Sequence, residues 1–203
     1  MPDFLKVDDV LNQIDLGEEM SGAEFGCGSA LFTIALAKKL KKGKVYALDI
    51  QEEKLSALKG KVALEKITNV TTIHADLEKE KGSTLPDNYL DVVLIPNVLF
   101  QAEDRYAMIK EANRILKPGG QLVIVDWLKV TAFSPRTGII GPDKMKEIVA
   151  PLQMTLKKEF KIFNSHLKKS NLDKLEWRKL IKEMKKWRNK GSNKYLACLR
   201  KCK

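Results

Sequence analysis

A tight glycine turn, Gly26-Cys27-Gly28, separates the run Met20 to Phe25, apolar in its second half, from a segment with apolar side chains at Leu31, Phe32, Ile34, Ala35, Leu36, Ala37 and Leu40. The first run has the length of a buried strand, whereas the second spacing places a broad apolar face on a helix. Glycine supplies the backbone conformations that a sharp strand-to-helix reversal needs. Strand, glycine turn and helix make one unit of a layered α/β fold. This unit constrains the chain more than any other feature, because the helix must lie on a sheet.

The unit recurs. Lys44 to Asp49 is expected as a strand, residues 51–65 as a helix with its charges outward, and Val70 to His74 as a strand. Leu90 to Ile95 forms a continuous apolar strand stopped by Pro96, and residues 103–117 form another helix. Its exit, Leu116-Lys117-Pro118-Gly119-Gly120, leads into the strand Gln121 to Trp127. Strands alternating with helices imply a parallel sheet covered on both faces. Upstream, Phe4, Leu5, Val7, Val10, Leu11, Ile14 and Leu16 predict a short amphipathic helix within residues 4–20 that caps the domain and ends at Gly17. Beyond Trp127 come a Pro- and Gly-containing loop, a short helix from Asp143, a strand near Leu156 to Phe163, and a last strand over Lys194 to Leu199. Between those strands, Ser170-Asn171-Leu172-Asp173 resembles a capping box and Gly191 suits a helix end, bounding a helix of about five turns.

The 203 residues suit one domain, with residues 164–193 as a basic helical insertion before the last strand. Hydrophobic residues at 44% and charged residues at 31% are the balance of a soluble globular protein. No apolar run approaches the roughly 20 residues of a membrane span, and Met1-Pro2-Asp3-Phe4 does not open a basic-then-apolar leader, so a cytoplasmic location is expected. Cys27, Cys198 and Cys202 fit neither a disulfide framework nor a four-ligand zinc site and read as reduced thiols, and no metal site is expected. The net charge of +11 is uneven: residues 151–203 hold 17 Lys and Arg against 4 acids, residues 1–150 hold 20 against 22.

A glycine at a strand end lets backbone approach a ligand that a Cβ would exclude, and the following helix offers unpaired N–H groups to a carboxylate. Asp49 ends the second strand 21 residues after Gly28, where its carboxylate can accept both hydrogen bonds of a ribose diol. The other reading of Asp49 is the N-cap of the next helix. A nicotinamide site would require glycine at position 31, where the chain has Leu31.

Ala23-Glu24-Phe25-Gly26-Cys27-Gly28-Ser29-Ala30 resembles the first motif of the class I S-adenosylmethionine-dependent methyltransferases, and Val45-Tyr46-Ala47-Leu48-Asp49 resembles their second. His74-Ala75-Asp76-Leu77 is similar to the segment whose acidic residue faces the adenine amine, and Leu116-Lys117-Pro118-Gly119-Gly120 to the turn before their fifth strand. The nearest group is that of the quinone-biosynthesis and arsenite methyltransferases, where a final strand like Lys194 to Leu199 recurs. The resemblance implies a doubly wound, mostly parallel, seven-stranded Rossmann-like sheet with its last strand antiparallel. It also implies S-adenosylmethionine bound by Glu24, Gly26, Cys27, Gly28, Asp49, Ile50, Ala75, Asp76, Leu77 and Asn97. The chain departs from the family at Ala30, which replaces the third glycine of the first motif and is expected to narrow the methionine pocket.

Methyl transfer is an in-line displacement in which the cofactor carries the activation and the protein supplies orientation. Asn97 is the candidate catalytic residue, placed to orient a nucleophile or contact the methionine portion; capping the following segment is the alternative. Asp126 and Trp127, at a strand end, point by position to the substrate side. Cys27 is expected to pack and stay inert, His74 to be structural, and His166 is a lone histidine that a base role would need to recruit. Trp177 and Trp187 share an apolar stripe, while Lys174, Arg178, Lys182, Lys185 and Arg188 offer a face to an RNA backbone. An RNA acceptor is therefore the leading substrate class. A quinone-like small molecule approached over an anionic membrane surface, and a non-catalytic nucleic-acid- or protein-binding module, are the alternatives.

Overall fold

The computed structural model describes residues 7–128, 130, 134–162 and 194–202. Strands β1 (Gly22–Phe25), β2 (Val45–Asp49), β3 (Val70–His74), β4 (Leu90–Pro96), β5 (Leu116–Trp127), β6 (Met154–Ile162) and β7 (Lys194–Lys201) form one sheet in the order β3-β2-β1-β4-β5-β7-β6. The β1–β2, β2–β3, β1–β4 and β4–β5 pairs are parallel, and β7 runs antiparallel between β5 and β6. The seven-stranded sheet with an antiparallel last strand is the one the resemblance implied.

All four residues of β1 and all five of β2 are buried, as strands covered on both faces must be. Val45 and Ala47 face one layer and Tyr46 and Leu48 the other, following the period of two along a strand. On the first side lie α1 (Val7–Leu11), α2 (Leu31–Lys39) and α3 (Glu52–Leu64), with Leu11, Leu36, Leu40, Leu55 and Leu58 buried against the strands. On the second lie α4 (Arg105–Ile115) and α5 (Pro142–Val149), contributing Ile109, Ala112, Ile115 and Met145. Helix α4 starts where Asp104 accepts a hydrogen bond from Ala107 N at 2.9 Å, and its buried positions 108, 109, 112 and 115 follow the helical period.

Two element boundaries differ from expectation. Among the described residues, helix α1 ends at Leu11 rather than at Gly17; Gln13 N and Ile14 N donate back three residues, to Val10 O and Leu11 O, in tighter turns that still bury Ile14. Strand β5 begins at Leu116, before the glycine turn, because Leu90 pairs with Leu116 and the register then shifts so that Val92 pairs with Gln121. The surplus residues 117–120 bulge from the ladder, with Gly119 at φ 82°.

Candidate functional site

The chain winds outward in one direction from β1 through β2 to β3 and in the other from β4 to β5, so the strand order reverses between β1 and β4. In an open parallel sheet, ligands sit at the carboxyl ends of the strands flanking such a reversal. A cavity of about 670 Å³ lies there. Four separate strand exits build it, and it brings together Glu24, Gly26, Cys27, Gly28, Asp49, Ile50, Ala75, Asp76, Leu77 and Asn97.

The glycine turn is held to the neighbouring strand by main-chain bonds, Gly26 N and Cys27 N both donating to Leu48 O, at 2.7 and 3.2 Å. Gly26 has φ +73°, and a Cβ there would lie 2.3 Å from Val98 Cγ2, so both conformation and space demand glycine. Gly28, at φ +35°, is different: a Cβ would meet only Gly26 O, at 3.9 Å, leaving the space beside it open. Asp49 joins the two strand exits. Its Oδ2 accepts from Gly28 N at 3.1 Å and its Oδ1 from Gln51 N at 3.0 Å. The N-cap of α3 is Gln51, so Asp49 precedes the cap rather than being it. Each carboxylate oxygen has a second lone pair for a ligand.

Ala30 adopts a left-handed conformation, φ 71°, that an L side chain enters at a cost of about 1–2 kcal/mol. It does not narrow the cavity: it is not among the lining residues, and its methyl is buried with Ala47, Leu55 and Leu58 under α3. The departure from glycine is therefore paid in backbone strain rather than in ligand space.

Glu24 is 2% exposed, and Thr33 Oγ1 donates to its Oε2. Burial pushes its carboxyl up to about 8, against the opposing hydrogen bond from Thr33, so the group is neutral over most of the physiological range. The Cys27 thiol is pushed up to about 12, first by burial and then by the nearby Asp49 and Glu24 charges. A thiol so far from ionisation is no nucleophile. Asp76 Oδ1 accepts from Glu78 N at 3.2 Å, and its Oδ2 lies 3.3 Å from Lys79 Nζ on the exposed side. Ile50 is 60% exposed beside it. His74 Nε2 bonds Ile50 O at 2.8 Å and serves the turn.

The far end of the cavity is built differently. Asn97 has φ 57°, a left-handed conformation that asparagine tolerates, and its N–H donates to Val125 O at 2.7 Å. It does not cap the 3₁₀ turn Leu99–Gln101, whose N-cap is Val98. Its Oδ1 instead accepts from Lys194 Nζ at 2.6 Å. Lys194 also lines the cavity and lies 4.2 Å from the Trp127 ring centroid. The sequence reading did not single out Lys194, which is one of 37 basic residues and reaches the site only through the antiparallel return of β7. Asp126 is fully buried and outside the cavity lining; Trp127 N donates to its Oδ1 at 2.7 Å, and its Oδ2 is buried without a hydrogen-bond partner among the described residues. Burial raises its carboxyl to about 6.

The expected basic insertion, residues 164–193, with Lys174, Arg178, Lys182, Lys185, Arg188, Trp177, Trp187 and His166, lies outside the described residues. Among the described residues, no helix is long and apolar enough to cross a membrane, and no three His, Cys, Asp or Glu side chains form a metal cluster. Cys27 and Cys198 are buried and Cys202 is exposed, all without disulfides.

A family model described as "Methyltransferase domain" matches residues 23–124, half of the chain and the part that builds most of this cavity. Over 129 residues, 63% of this chain, the sequence is 33% identical to a demethylmenaquinone methyltransferase of Geobacillus stearothermophilus, and over 117 residues it is 35% identical to one of Bacillus mycoides. The chain spans about half the length of these relatives, 54% and 47%. Among solved structures it is similar to a SAM dependent methyltransferase from Aquifex aeolicus, with a TM-score of 0.75 at 20% identity over 98% of this chain and 90% of that one. The chain belongs to the class I S-adenosylmethionine-dependent methyltransferase family.

Proposed function

We propose that the chain transfers a methyl group from S-adenosylmethionine to a small, quinone-like aromatic acceptor. The observation that carries the methyl-transfer reading is the convergence of four strand exits on one cavity at the strand-order reversal. Its volume, about 670 Å³, falls in the roughly 300–1,000 Å³ range of small-molecule sites. The residues present fit the cofactor: Asp49 is a fixed, half-satisfied carboxylate suited to a ribose diol, and the open space at Gly28 lets backbone approach a ligand closely. Asp76 and Ile50 border the same end with a carboxylate and an exposed apolar side chain, a combination that suits an adenine ring and its amine. When bound, the cofactor supplies a sulfonium-activated methyl. The chain's own groups hold and orient, and Asn97 stands at the other end, where an acceptor would enter.

The acceptor class is supported by the kinship with demethylmenaquinone methyltransferases and by the apolar side chains Leu31, Phe32, Val98 and Met108 on the cavity wall. The RNA acceptor suggested by the basic segment has no support among the described residues. The test is to incubate the purified chain with methyl-labelled S-adenosylmethionine and a cell lysate, then to divide the product by nuclease, protease and organic extraction. Label in the organic phase is expected. Label lost to nuclease would overturn the small-acceptor reading in favour of RNA, and no label despite tight cofactor binding would favour a non-catalytic binding module.

A further inference from the structure

Glu24 is the one residue of β1 that lines the cavity, although it is only 2% exposed. Its partners across the sheet, Ala47 on β2 and Leu94 on β4, carry no charge. From α2 the Thr33 hydroxyl donates to Oε2, and Thr33 is itself wholly buried. The charge that acts on the carboxyl is that of Asp49, which has the same sign, and the Cys27 thiol in the turn is un-ionised. The other charged groups of the cavity wall are Asp76, Glu78, Lys54 and Lys194, and none of them pairs with Glu24. A buried carboxylate with one hydroxyl donor and no cation is unfavourable, so the group keeps its proton up to about pH 8. The cavity wall therefore holds an acid in its neutral form, beside a space suited to a cationic ligand.

In S-adenosylmethionine the ammonium and carboxylate cancel, leaving the sulfonium as a net positive charge; in the product the sulfur is a neutral thioether and the net charge is zero. We propose that Glu24 is a proton-exchanging counter-ion to the sulfonium, losing its proton to solvent when the donor enters and regaining one from solvent once the sulfur is neutral. The inference rests on the cofactor occupying this cavity, as proposed above, and adds how the site tells donor from product. Away from water a unit charge acts over several ångströms with little screening, so the carboxylate answers the sulfonium without touching it. Donor binding carries a proton cost that vanishes as pH rises, whereas product binding does not. The preference for donor over product therefore grows with pH.

The experiment is calorimetric titration of the full chain at pH 7 with S-adenosylmethionine and, separately, with S-adenosylhomocysteine, each in phosphate and in Tris. The two buffers differ in their heat of ionisation, so the difference in observed heat counts the protons exchanged. Release of most of one proton is expected with S-adenosylmethionine and close to none with S-adenosylhomocysteine. Glu24→Gln, which keeps an acceptor for Thr33, should abolish the release. Between pH 6 and pH 8 the affinity of the wild type for S-adenosylmethionine should rise about tenfold to fiftyfold relative to Glu24→Gln, a comparison in which the ligand's own titration cancels. Equal release with both ligands would assign the effect to the ammonium they share and overturn the inference. Release that persists in Glu24→Gln, or donor binding without any release, overturns it as well while leaving the cofactor site in place. Failure of the wild type to bind S-adenosylmethionine would overturn the cofactor site and this inference with it.

Discussion

The two ends of the cavity are made by different means. At the Asp49 end, main-chain groups do the positioning: Gly28 N and Gln51 N fix the carboxylate, and Leu48 O holds the glycine turn. At the Asn97 end, side chains meet side chains, and Asn97 and Lys194 are 97 residues apart in sequence. Backbone-built sites tolerate little change in conformation but much in side-chain identity, whereas side-chain clusters allow one residue to alter what is recognised. The first end therefore suits a constant cofactor and the second a variable acceptor.

Titration separates the two regions most strongly, because a buried carboxyl raised above its ordinary value lies in the first, Glu24, and behind the second, Asp126. For such a group the native state holds a proton that the unfolded state has lost, so stability is greatest at low pH and falls as pH rises. The window for Glu24 runs from about 4.5 to about 8, and that for Asp126 from about 3.8 to about 6. Each should contribute a slope of about 1.4 kcal/mol per pH unit within its window. Denaturant unfolding of Glu24→Gln should lose its slope across pH 6 to 8, whereas Asp126→Asn should lose it only below about pH 6. Equal profiles for wild type and both variants would show that neither group is raised.

Gly26→Ala comes next, combining left-handed backbone with a Cβ 2.3 Å from Val98 Cγ2. A loss of about 2–4 kcal/mol is expected in urea melts. Gly28→Ala should cost less stability, since protein atoms leave its Cβ free, but should weaken S-adenosylmethionine binding. The reverse order of stability losses would break the distinction between a glycine the fold needs and one the ligand needs. The smallest effect is a gain: Ala30→Gly relieves φ 71° and should stabilise by at most about 1 kcal/mol, after the entropy glycine loses and the methyl contact in the core. Thermal unfolding reads it, and a lower midpoint would show that packing against Leu55 and Leu58 outweighs the strain.

Legibility in the sequence follows the same division. The strand, turn and helix at residues 22–39 and the strand ending at Asp49 are local patterns, and burial on both faces makes their strands largely apolar, the buried Glu24 apart. Asp49 and the glycines could be found because each sits at a fixed place within such a unit, whereas Asp76 was reached through the resemblance of His74-Ala75-Asp76-Leu77. The strand number and the antiparallel last strand came only from resemblance, and the strand order could not be read from spacing at all. Strand β5 starts at Leu116 because Leu90 pairs with it across a register shift, a fact about a partner strand that no property of Lys117-Pro118-Gly119-Gly120 announces. The inward methyl of Ala30 was missed because its direction depends on a left-handed φ. Lys194 was missed because a lysine at a strand start has no pattern of its own until β7 turns back along β5.

If the cavity between β1, β2 and β4 holds the cofactor, calorimetric titration of S-adenosylmethionine into the wild type and Asp49→Ala will separate the two proteins. The wild type should bind at one site, and the variant, folded by circular dichroism, should bind more weakly by about 1.5–3 kcal/mol, the worth of hydrogen bonds to a charged carboxylate. Equal affinities in the two proteins would contradict that placement of the cofactor.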